Sequence, residues 1–376
     1  MRIGLDAKRA FCNRTGLGNY SRNIIRALAE NFPEDELVLF TPRISVGEFA
    51  EEIKKHPNVK IVLPSLPGFL HSWWRTYGIK KDIKRHGIDL FHGLSNELPS
   101  GISRTGARSA VTIHDLIPFK EVSFYNPLDR WIYGWKMKRS VREADAVIAI
   151  SRQTAEDAQH FLSVSREKIH VIYQPVNPEF LAPVSPQKQQ EVKQKYALPA
   201  SYMLHVGRVE LRKNLHSVLL AMTRMGERSG IHLVAVGRKT KFYRSLESYF
   251  TNYSLRNRVH FFDTVPSEDL PALYSLATCV IYPSLMEGFG LPVTEGLAAG
   301  VPVITSKGGC FEEAGSDVAF YVDPGSPEDI AEKILMVESS RGTLQDRINN
   351  GKIHIRQFSA QNVAVQLGKL YRNCLA

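Results

Sequence analysis

Residues 279–300 read CVIYPSLMEGFGLPVTEGLAAG and contain the clearest structural unit of the sequence. The first four, Cys279 to Tyr282, form a short apolar run that predicts a buried strand. A loop containing two glycines follows. Pro292 then falls in the first turn of a predicted helix, where a proline sacrifices no helical hydrogen bond. The stretch therefore predicts a strand, a loop and a helix in succession, which is the repeating unit of an α/β fold.

The same alternation extends in both directions along the 376 residues. Its other short, near-continuous apolar runs predict strands buried on both faces, as in a parallel sheet covered by helices. These runs are Ile3 to Leu5, Leu37 to Phe40, Val59 to Leu63, Ile88 to Phe91, Ala110 to Ile113, Ala146 to Ile150, Ile169 to Ile172, Tyr202 to Val206, Ile231 to Val236, Val259 to Phe262, Val301 to Ile304 and Ala319 to Val322. A proline-rich stretch from Gln174 to Pro199 predicts a linker. We therefore expect two doubly wound domains joined once.

Composition excludes several classes of protein. Hydrophobic residues make up 43% and charged residues 23%, as in soluble globular chains. The net charge of +10 is spread along the chain without a basic arm, which disfavours a nucleic-acid partner and favours small anionic ligands or anionic lipids. The four cysteines form no CxxC pair, so we expect neither a metal site nor a disulfide framework. No signal peptide or membrane span is recognisable, which predicts a cytoplasmic protein.

Ligands of open α/β sheets bind beyond the carboxyl ends of the strands, so the loops at those ends should carry the chemistry. In the second half of the chain, one such loop holds Gly207, Arg208 and Lys213, and its two cations suit a diphosphate. The alternative is that both cations are solvated surface residues. Asn214 is the predicted N-cap of the next helix. Gly237 follows the neighbouring strand and would let a ligand approach the backbone.

The loop within residues 279–300 is flanked by two glutamates. Glu295 is expected in the first turn of the helix, where its carboxylate could accept both hydroxyls of a ribose. The alternative is a favourable charge at the helix N-terminus and nothing more. Glu287, on the other side, would face a reacting sugar. The backbone N–H groups of the loop should point toward the same ligand, and its residues are Gly288, Phe289, Gly290 and Leu291.

A second glycine loop lies near the start of the chain. Gly16 and Gly18 precede a helix predicted from Ser21 to Asn31, and such a turn can bring backbone N–H groups to a phosphate. A dinucleotide fingerprint would need a glycine at position 21, so an NAD-dependent oxidoreductase is disfavoured. The alternative is a glycine turn that binds no ligand.

Two histidines follow predicted strands in the first half of the chain. His114 could exchange hydrogen bonds with a sugar hydroxyl, and the neighbouring Asp115 could fix its tautomer. His92 occupies an equivalent position with a weaker case. For each, a structural histidine is the alternative.

These motifs, in this order, resemble the retaining glycosyltransferases of the group 1 (GT4) family, and within it the mannosyltransferase-like members. Glu287 and Glu295, separated by seven residues, resemble the family's E-x7-E motif. The other matching elements lie within roughly residues 1 to 335. The resemblance implies a GT-B fold, in which two Rossmann-like doubly wound domains face each other across a cleft. An acceptor-binding domain would span 1–180, with a C-terminal helix at 360–376 packing back on it, and a donor-binding domain would span 181–359.

The resemblance also implies roles for individual residues. The group implied to act in catalysis comprises His114, Arg208, Lys213 and Glu287. The cations of this group would stabilise the leaving diphosphate, and the histidine would contact the sugar near its anomeric centre. The group implied to bind the donor comprises Gly16, Gly18, Gly207, Gly237, Gly288, Phe289, Gly290, Leu291 and Glu295.

The implied activity is transfer of a hexose with retention of configuration, to a saccharide or lipid-linked acceptor in polysaccharide or glycolipid biosynthesis. Mannose from GDP-mannose is the first expectation and a UDP-sugar the second, with no metal and no cofactor. A GT-B-fold sugar-nucleotide epimerase and a non-catalytic nucleotide-sugar binding protein are the alternatives. The aromatic and basic stretch from Phe69 to Arg85 could make peripheral contact with the inner face of a membrane, or could be an ordinary packed helix.

Overall fold

The computed structural model describes residues 1–122, 126–252 and 255–376, and these form two compact units. The first comprises Met1–Pro175 and Phe358–Ala376, and the second comprises Val176–Gln357. Each contains one parallel sheet whose strands are joined through helices, which makes each unit Rossmann-like. The chain enters the second unit within the predicted linker.

The sheet of the first unit has seven strands in the order β3-β2-β1-β4-β5-β6-β7. Its central strands are almost entirely buried, which explains their continuous apolar sequence. The order changes direction between β1 and β4, so the loops that follow these two strands diverge and leave a crevice at their carboxyl ends. The strands are β1 Arg2–Asp6, β2 Glu36–Phe40, β3 Val59–Val62, β4 Leu90–Gly93, β5 Arg108–Ile113, β6 Ala146–Ala149 and β7 Ile169–Val171.

Helices cover both faces of this sheet. One face packs against the first three helices and the last one, and the other face packs against the helices that lie between β3 and β7. In the first group are α1 Lys8–Cys12, α2 Gly16–Asn31, α3 Gly47–Ile53 and α17 Ala360–Leu375. In the second group are α4 His71–Trp73, α5 Ile79–Arg85, α6 Ile117–Lys120, α7 Pro127–Glu143 and α8 Arg152–Leu162.

The last helix, α17, belongs to the first unit. Leu367 and Tyr371 lie in the same apolar cluster as Ile24 and Leu28 of α2. The Tyr371 hydroxyl also lies 2.6 Å from Nδ1 of the buried His92. The C-terminal helix is therefore part of the core of this unit.

The sheet of the second unit has six strands in the order β10-β9-β8-β11-β12-β13. Here the direction changes between β8 and β11, whose carboxyl ends are followed by the predicted donor loops. The strands are β8 Tyr202–Val206, β9 His232–Val236, β10 Val259–Phe262, β11 Cys279–Tyr282, β12 Val303–Ser306 and β13 Phe320–Val322. The helices are α9 Pro186–Lys195, α10 Leu215–Met225, α11 Tyr243–Asn252, α12 Leu270–Leu276, α13 Leu291–Ala298, α14 Cys310–Gly315, α15 Pro327–Ser339 and α16 Gln345–Ile355.

All thirteen predicted strands occur, although two of them begin two residues later than predicted. Ile88 and Val301 start the apolar runs but precede β4 and β12. Their amides instead donate to carbonyls of the preceding helical segments, at 3.2 and 3.0 Å. A buried apolar residue can therefore lengthen an apolar run of the sequence without being part of the strand.

The prediction of a linker without a long helix is wrong for its second half, because Pro186–Lys195 forms α9. Pro186 occupies the first turn, and Ser185 caps the helix by accepting a hydrogen bond from the Lys188 amide at 3.2 Å. Proline has no backbone N–H, but an N–H in a first turn has no partner within the helix, so a proline there costs no hydrogen bond. Among the described residues, no helix is long and apolar enough to cross a membrane.

Candidate active site

Two cations and a carboxylate meet where β8 and β11 end. The Lys213 ammonium lies 2.5 Å from Oε1 of Glu287, and the Arg212 guanidinium lies 2.8 Å from Oε2. All three side chains are less than one fifth exposed. One buried carboxylate therefore holds a cation at each of its oxygens.

Hydroxyl groups complete the surroundings of Glu287. The hydroxyls of Tyr282 and Ser284 donate to Oε1 at 2.7 and 2.8 Å. Burial alone would raise the pKa of this carboxyl group, but Lys213 and Arg212 outweigh it and lower the pKa of Glu287 to about 2. Burial lowers the pKa of Lys213, and the Glu287 carboxylate opposes that effect. The Glu287 carboxylate is therefore ionised at neutral pH, and its charge favours the protonated form of Lys213.

Asn214 joins the loops that build this cluster. Its side-chain amide donates to the carbonyls of Pro283 and Pro324, at 2.9 and 2.8 Å, so it connects the loops after β8, β11 and β13. Asn214 stands at the predicted N-cap position of α10, but its side chain makes no capping hydrogen bond to the helix backbone. Its φ of 58° is left-handed, a conformation that asparagine tolerates better than most residues. The asparagine therefore fixes the loop and does not cap the helix.

Gly207 and Gly237 bring the loops after β8 and β9 together. A Cβ atom on Gly237 would lie 2.0 Å from the carbonyl oxygen of Gly207, and the φ of Gly237 is +147°. Position 237 therefore requires glycine because the backbone of Gly207 approaches it too closely for a side chain. The approach of a ligand to Gly237 stays a prediction.

The loop before α13 ends at a residue whose backbone conformation favours glycine. Gly290 has a φ of +106° and stands at the N-cap position, and Pro292 lies in the first turn as predicted. The expectation that Glu295 lies in the first turn is wrong. The helix begins at Leu291, so Glu295 is its fifth residue and lies beyond the first turn.

Glu295 instead pairs with a tyrosine. The Tyr274 hydroxyl donates to Oε2 of Glu295 at 2.7 Å. Burial raises the pKa of Glu295 to about 7, and this hydrogen bond only partly offsets the effect. The carboxyl group is therefore poised to change its charge near neutral pH.

In the first unit, His114 lies just after β5 and is 4% exposed. Its Nε2 lies 2.8 Å from the carbonyl oxygen of Leu94, which can only accept, so Nε2 carries the proton. Its backbone N–H donates to the Asn96 side chain at 2.8 Å, and the Tyr20 ring meets the imidazole edge-on. Burial lowers the pKa of His114 to about 4. The imidazole is therefore neutral, with Nδ1 as its acceptor nitrogen.

Two sequence models of known families match adjacent parts of the chain. The one described as Glycosyltransferase Family 4 matches residues 14–180, and the one described as Glycosyl transferases group 1 matches residues 187–354. Together they cover most of both units. The chain belongs to the group 1 glycosyltransferases.

Relatives of this glycosyltransferase extend over nearly its full length. O-antigen chain mannosyltransferase B of Escherichia coli is 26% identical over 375 residues, which cover 95% of this chain and 96% of the relative. O-antigen chain mannosyltransferase RfbU of Salmonella typhimurium is 27% identical over 362 residues, covering 94% and 95%. Anabaena Alr3699/HepE, solved in complex with UDP-glucose, has a TM-score of 0.75 at 19% identity and covers 99% of each chain. The predicted family, the GT-B fold with two Rossmann-like domains and the glycosyltransferase class are confirmed.

The other residues that the sequence predicted for the site lie outside the Glu287 cluster. Arg208 is exposed on the loop after β8 and lies outside the Glu287 cluster. The Leu94 carbonyl fixes the tautomer of His114, a role that the sequence suggested for Asp115. His92 is buried with its two nitrogens 2.6 Å from the Tyr371 hydroxyl and 2.8 Å from that of Thr112, which supports a structural role.

The glycine loop near the start of the glycosyltransferase is helical. The helix α2 begins at Gly16, five residues before the predicted start, so both glycines lie in its first turn. A Cβ atom on Gly18 would lie 1.9 Å from the Asn13 carbonyl oxygen, whereas Gly16 faces open space. Gly18 therefore permits close packing at the helix start, and Gly16 has no such constraint.

Sequence reasoning missed several side chains of the site, among them Ser284, whose hydroxyl donates to Glu287. Arg212 lies next to the predicted Lys213 and pairs with the same carboxylate. Tyr282, the last residue of a predicted strand, and Tyr274 each donate to one of the two motif glutamates. A tyrosine at the carboxyl end of a buried strand is the one signal that could have pointed to Tyr282.

The stretch from Phe69 to Arg85 divides into an outer and an inner face. Phe69, Trp73 and Tyr77 are exposed, whereas Trp74 is buried and donates from its indole to Asp82 at 2.7 Å. Trp74 therefore does not belong to an outer aromatic surface.

Proposed function

We propose that this glycosyltransferase moves a hexose, mannose in the first instance, from a nucleoside diphosphate sugar to a saccharide or lipid-linked acceptor in polysaccharide or glycolipid biosynthesis. The observation that carries the proposal is the buried cluster of Arg212, Glu287 and Lys213 beside the N-terminus of α13. Two relatives that match nearly the whole chain are named as O-antigen mannosyltransferases, which supports mannose and a saccharide acceptor. GDP-mannose is the first donor to test.

The donor diphosphate would bind at the carboxyl ends of β8 and β11. Arg208 is exposed there, and the positive end of the α13 dipole lies at the same edge of the sheet. Lys213 and Arg212 are already fixed by Glu287, so they need no reorganisation as negative charge develops on the leaving diphosphate. Glu287 thus holds the cations in place, and the cations stabilise the leaving group.

The remaining polar groups suit a nucleotide sugar. Nδ1 of His114 is an acceptor for a sugar hydroxyl because the imidazole is neutral and its tautomer is fixed. Glu295 would accept hydrogen bonds from the ribose hydroxyls most strongly when its carboxyl group is ionised. Because its pKa is about 7, the ionised form predominates above neutral pH. A structural neighbour solved with UDP-glucose makes a UDP-sugar the second donor.

The reaction would proceed without metal or cofactor and with retention of configuration. No group of three or more His, Cys, Asp or Glu side chains suited to a metal occurs among the described residues. The leaving diphosphate is itself a base that can take the acceptor proton on the face from which it departs. Peripheral contact with the inner face of the membrane through the Phe69 to Arg85 stretch would bring the enzyme to a lipid-linked acceptor.

Binding and turnover in EDTA test the proposal. The thermal midpoint is measured with GDP, UDP, ADP and NAD, and release of nucleoside diphosphate from GDP-mannose and UDP-glucose is followed with and without saccharide acceptors. We expect a shift with one nucleoside diphosphate and release that depends on an acceptor. Binding without turnover would favour the non-catalytic alternative, and isomerisation of the donor without an acceptor would favour the epimerase. A shift only with NAD would contradict both the site and the proposal.

Arg208 provides a sharper test because its side chain is exposed and its loss should not affect folding. We expect Arg208→Ala to weaken binding of the nucleoside diphosphate by about tenfold, a typical effect of losing one charge-assisted contact. Arg256→Ala, also exposed but just before the amino end of β10, is the matched control and should bind normally. Equal affinity of the two variants would remove Arg208 from the site.

A further inference from the structure

Helix α7 exposes a row of large apolar side chains. Leu128, Trp131 and Trp135 are spaced three and four residues apart, which places them on one side of the helix. They are 63%, 68% and 51% exposed. Single exposed apolar residues are ordinary, but a contiguous row that includes two tryptophans indicates a surface that contacts another molecule.

Beyond Trp135 the same side of the helix becomes cationic. Lys138 and Arg142 continue the spacing and line a cavity of about 570 Å³, between α7 and the segment that joins α8 to β7. Arg139 and Lys168 line it as well. None of the ten residues that line this cavity is acidic. Four cations without a carboxylate make the cavity complementary to an anion.

Arg139 provides an independent observation. The residue is 8% exposed, and its guanidinium lies 5.0 Å from the centroid of the Trp135 ring. Its Nη2 donates to the Leu98 carbonyl at 2.9 Å, but Nε and Nη1 have no hydrogen-bond partner. A buried guanidinium with so few hydrogen bonds is unfavourable, and the negative charge of an anion in the adjoining cavity would offset part of this cost.

An apolar groove adjoins the cationic cavity. It has a volume of about 500 Å³, is lined largely by Pro118, Phe119, Trp131 and Trp135, and shares Trp135 and Lys138 with the cavity. An apolar groove beside a cationic cavity matches the chemistry of a phospholipid, which joins hydrocarbon to a phosphate. A helix with one apolar and cationic side is also the form that lies in a membrane interface.

The cavity lies away from His114, the residue of this unit that is predicted to contact the transferred sugar. Helix α7 begins after the carboxyl end of β5 and ends just before β6, so it runs antiparallel to the strands. Arg142 lies four residues before β6 and Lys168 lies directly before β7, which places the cavity at the amino edge of the sheet. His114 lies at the opposite edge. A lipid held here would therefore attach the enzyme to a bilayer and would not be glycosylated.

We propose that this side of α7, formed by Leu128, Trp131, Trp135, Lys138 and Arg142, is a docking surface for a bilayer containing anionic phospholipid. The cationic cavity receives the headgroup phosphate, and the exposed tryptophans lie at the boundary between headgroups and hydrocarbon. The surface is distinct from the Phe69 to Arg85 stretch and does not depend on the identity of the donor.

Flotation of the full-length protein with lipid vesicles tests this surface. Vesicles of phosphatidylcholine alone are compared with vesicles containing about one quarter phosphatidylglycerol, near 0.1 M salt. We expect binding to the anionic vesicles only, and a reduction of at least about 30-fold in the double variant Lys138→Glu/Arg142→Glu, which replaces two attractive charges by repulsive ones. The matched control is Lys54→Glu/Lys55→Glu just after α3, whose residues are also exposed but lie on the other face of the sheet, and it should bind within about threefold of the unchanged protein.

A second pair of variants tests the apolar part. Leu128→Ala/Trp131→Ala should weaken binding to anionic vesicles by at least about tenfold, because it removes two side chains from the membrane interface. Val365→Ala on α17, where the side chain is 52% exposed, is the control and should not weaken binding. Circular dichroism checks that each variant is folded. Several outcomes would overturn the proposal: no binding to anionic vesicles, equal binding to neutral vesicles, loss of binding in the Lys54/Lys55 control but not in the α7 variants, or self-association through Trp131 in place of vesicle binding.

Discussion

Replacing Glu287 by glutamine should destabilise the second unit strongly, because it leaves two buried cations without their shared carboxylate. The pKa of Glu287 is lowered from its ordinary value of 4.5 to about 2. Each pKa unit corresponds to about 1.4 kcal/mol, so the ionised carboxylate contributes about 3 kcal/mol to the free energy of unfolding. Loss of one partner from a buried ion pair typically costs about 3–5 kcal/mol, which agrees with this value. We therefore expect Glu287→Gln to lower the free energy of unfolding by about 3 kcal/mol at pH 7.

The pH dependence of this difference provides the stricter test. A carboxyl group whose pKa is lowered by folding contributes stability that is complete above its unfolded pKa and is lost as the pH falls toward its folded pKa. The difference between the two proteins should therefore be constant above about pH 5 and shrink as the pH falls from 4.5 toward 2.

The assay must report on the correct unit. All four tryptophans lie in the first unit, so their fluorescence does not follow the site directly. Urea unfolding is therefore followed by far-ultraviolet circular dichroism, with hydrogen exchange of β11 and α13 as a local measure. Glu332→Gln on the exposed side of α15 is the control and should change the free energy of unfolding by less than about 0.5 kcal/mol. An unchanged free energy for Glu287→Gln, or a loss independent of pH, would refute the reasoning.

Three further predictions follow from single contacts. Burial raises the pKa of Glu295 from 4.5 to about 7, so its contribution to stability is present below pH 4.5 and lost as the pH rises through 7. Glu295→Gln should raise the free energy of unfolding by about 1–3 kcal/mol at pH 8, measured with urea, while weakening nucleoside diphosphate binding. Gly237→Ala places a Cβ atom 2.0 Å from a carbonyl oxygen and should lower the free energy of unfolding by about 3 kcal/mol in the same assay. Tyr371→Phe leaves Nδ1 of the buried His92 without its hydroxyl partner and should cost about 1–2 kcal/mol, seen as a lower thermal midpoint.

Each of these three predictions has a control and a result that would contradict it. For Glu295→Gln, the same measurement at pH 4 should show little difference, and destabilisation at pH 8 would contradict the role of burial. Gly230→Ala is the control for Gly237→Ala, since a Cβ atom at Gly230 meets nothing within 4 Å, and equal stability of the two variants would contradict the packing argument. An unchanged thermal midpoint for Tyr371→Phe would mean that the hydroxyl contributes nothing to the core.

The strands were predictable because a strand buried on both faces must be apolar at nearly every position, and such runs are unusual elsewhere. Helix starts were harder to predict. Gly16 and Pro186 are residues that commonly interrupt helices, and here both lie in a first turn. A first turn has free N–H groups, so proline is tolerated there, and glycine removes a clash in the case of Gly18.

The site was only partly predictable, because its contacts depend on strand order. Lys213 and Glu287 are far apart in sequence and meet because β11 pairs with β8 across two intervening strands of the chain. The list of strands contains no such information. The motif predicted that Glu287 matters, but the sequence did not indicate that both its oxygens bind cations.

The charges of the cluster lead to one more conclusion about the donor. Arg212 pairs with Glu210 at 2.7 Å as well as with Glu287, so two cations are matched by two carboxylates and the cluster is close to neutral. Long-range attraction of a diphosphate must then come from outside the cluster, and Arg208 is the exposed cation on the same loop. Affinity should therefore respond mainly to Arg208, and catalysis mainly to Lys213. A larger effect of Arg208→Ala on KM than on kcat would support this division, and the reverse pattern would contradict it.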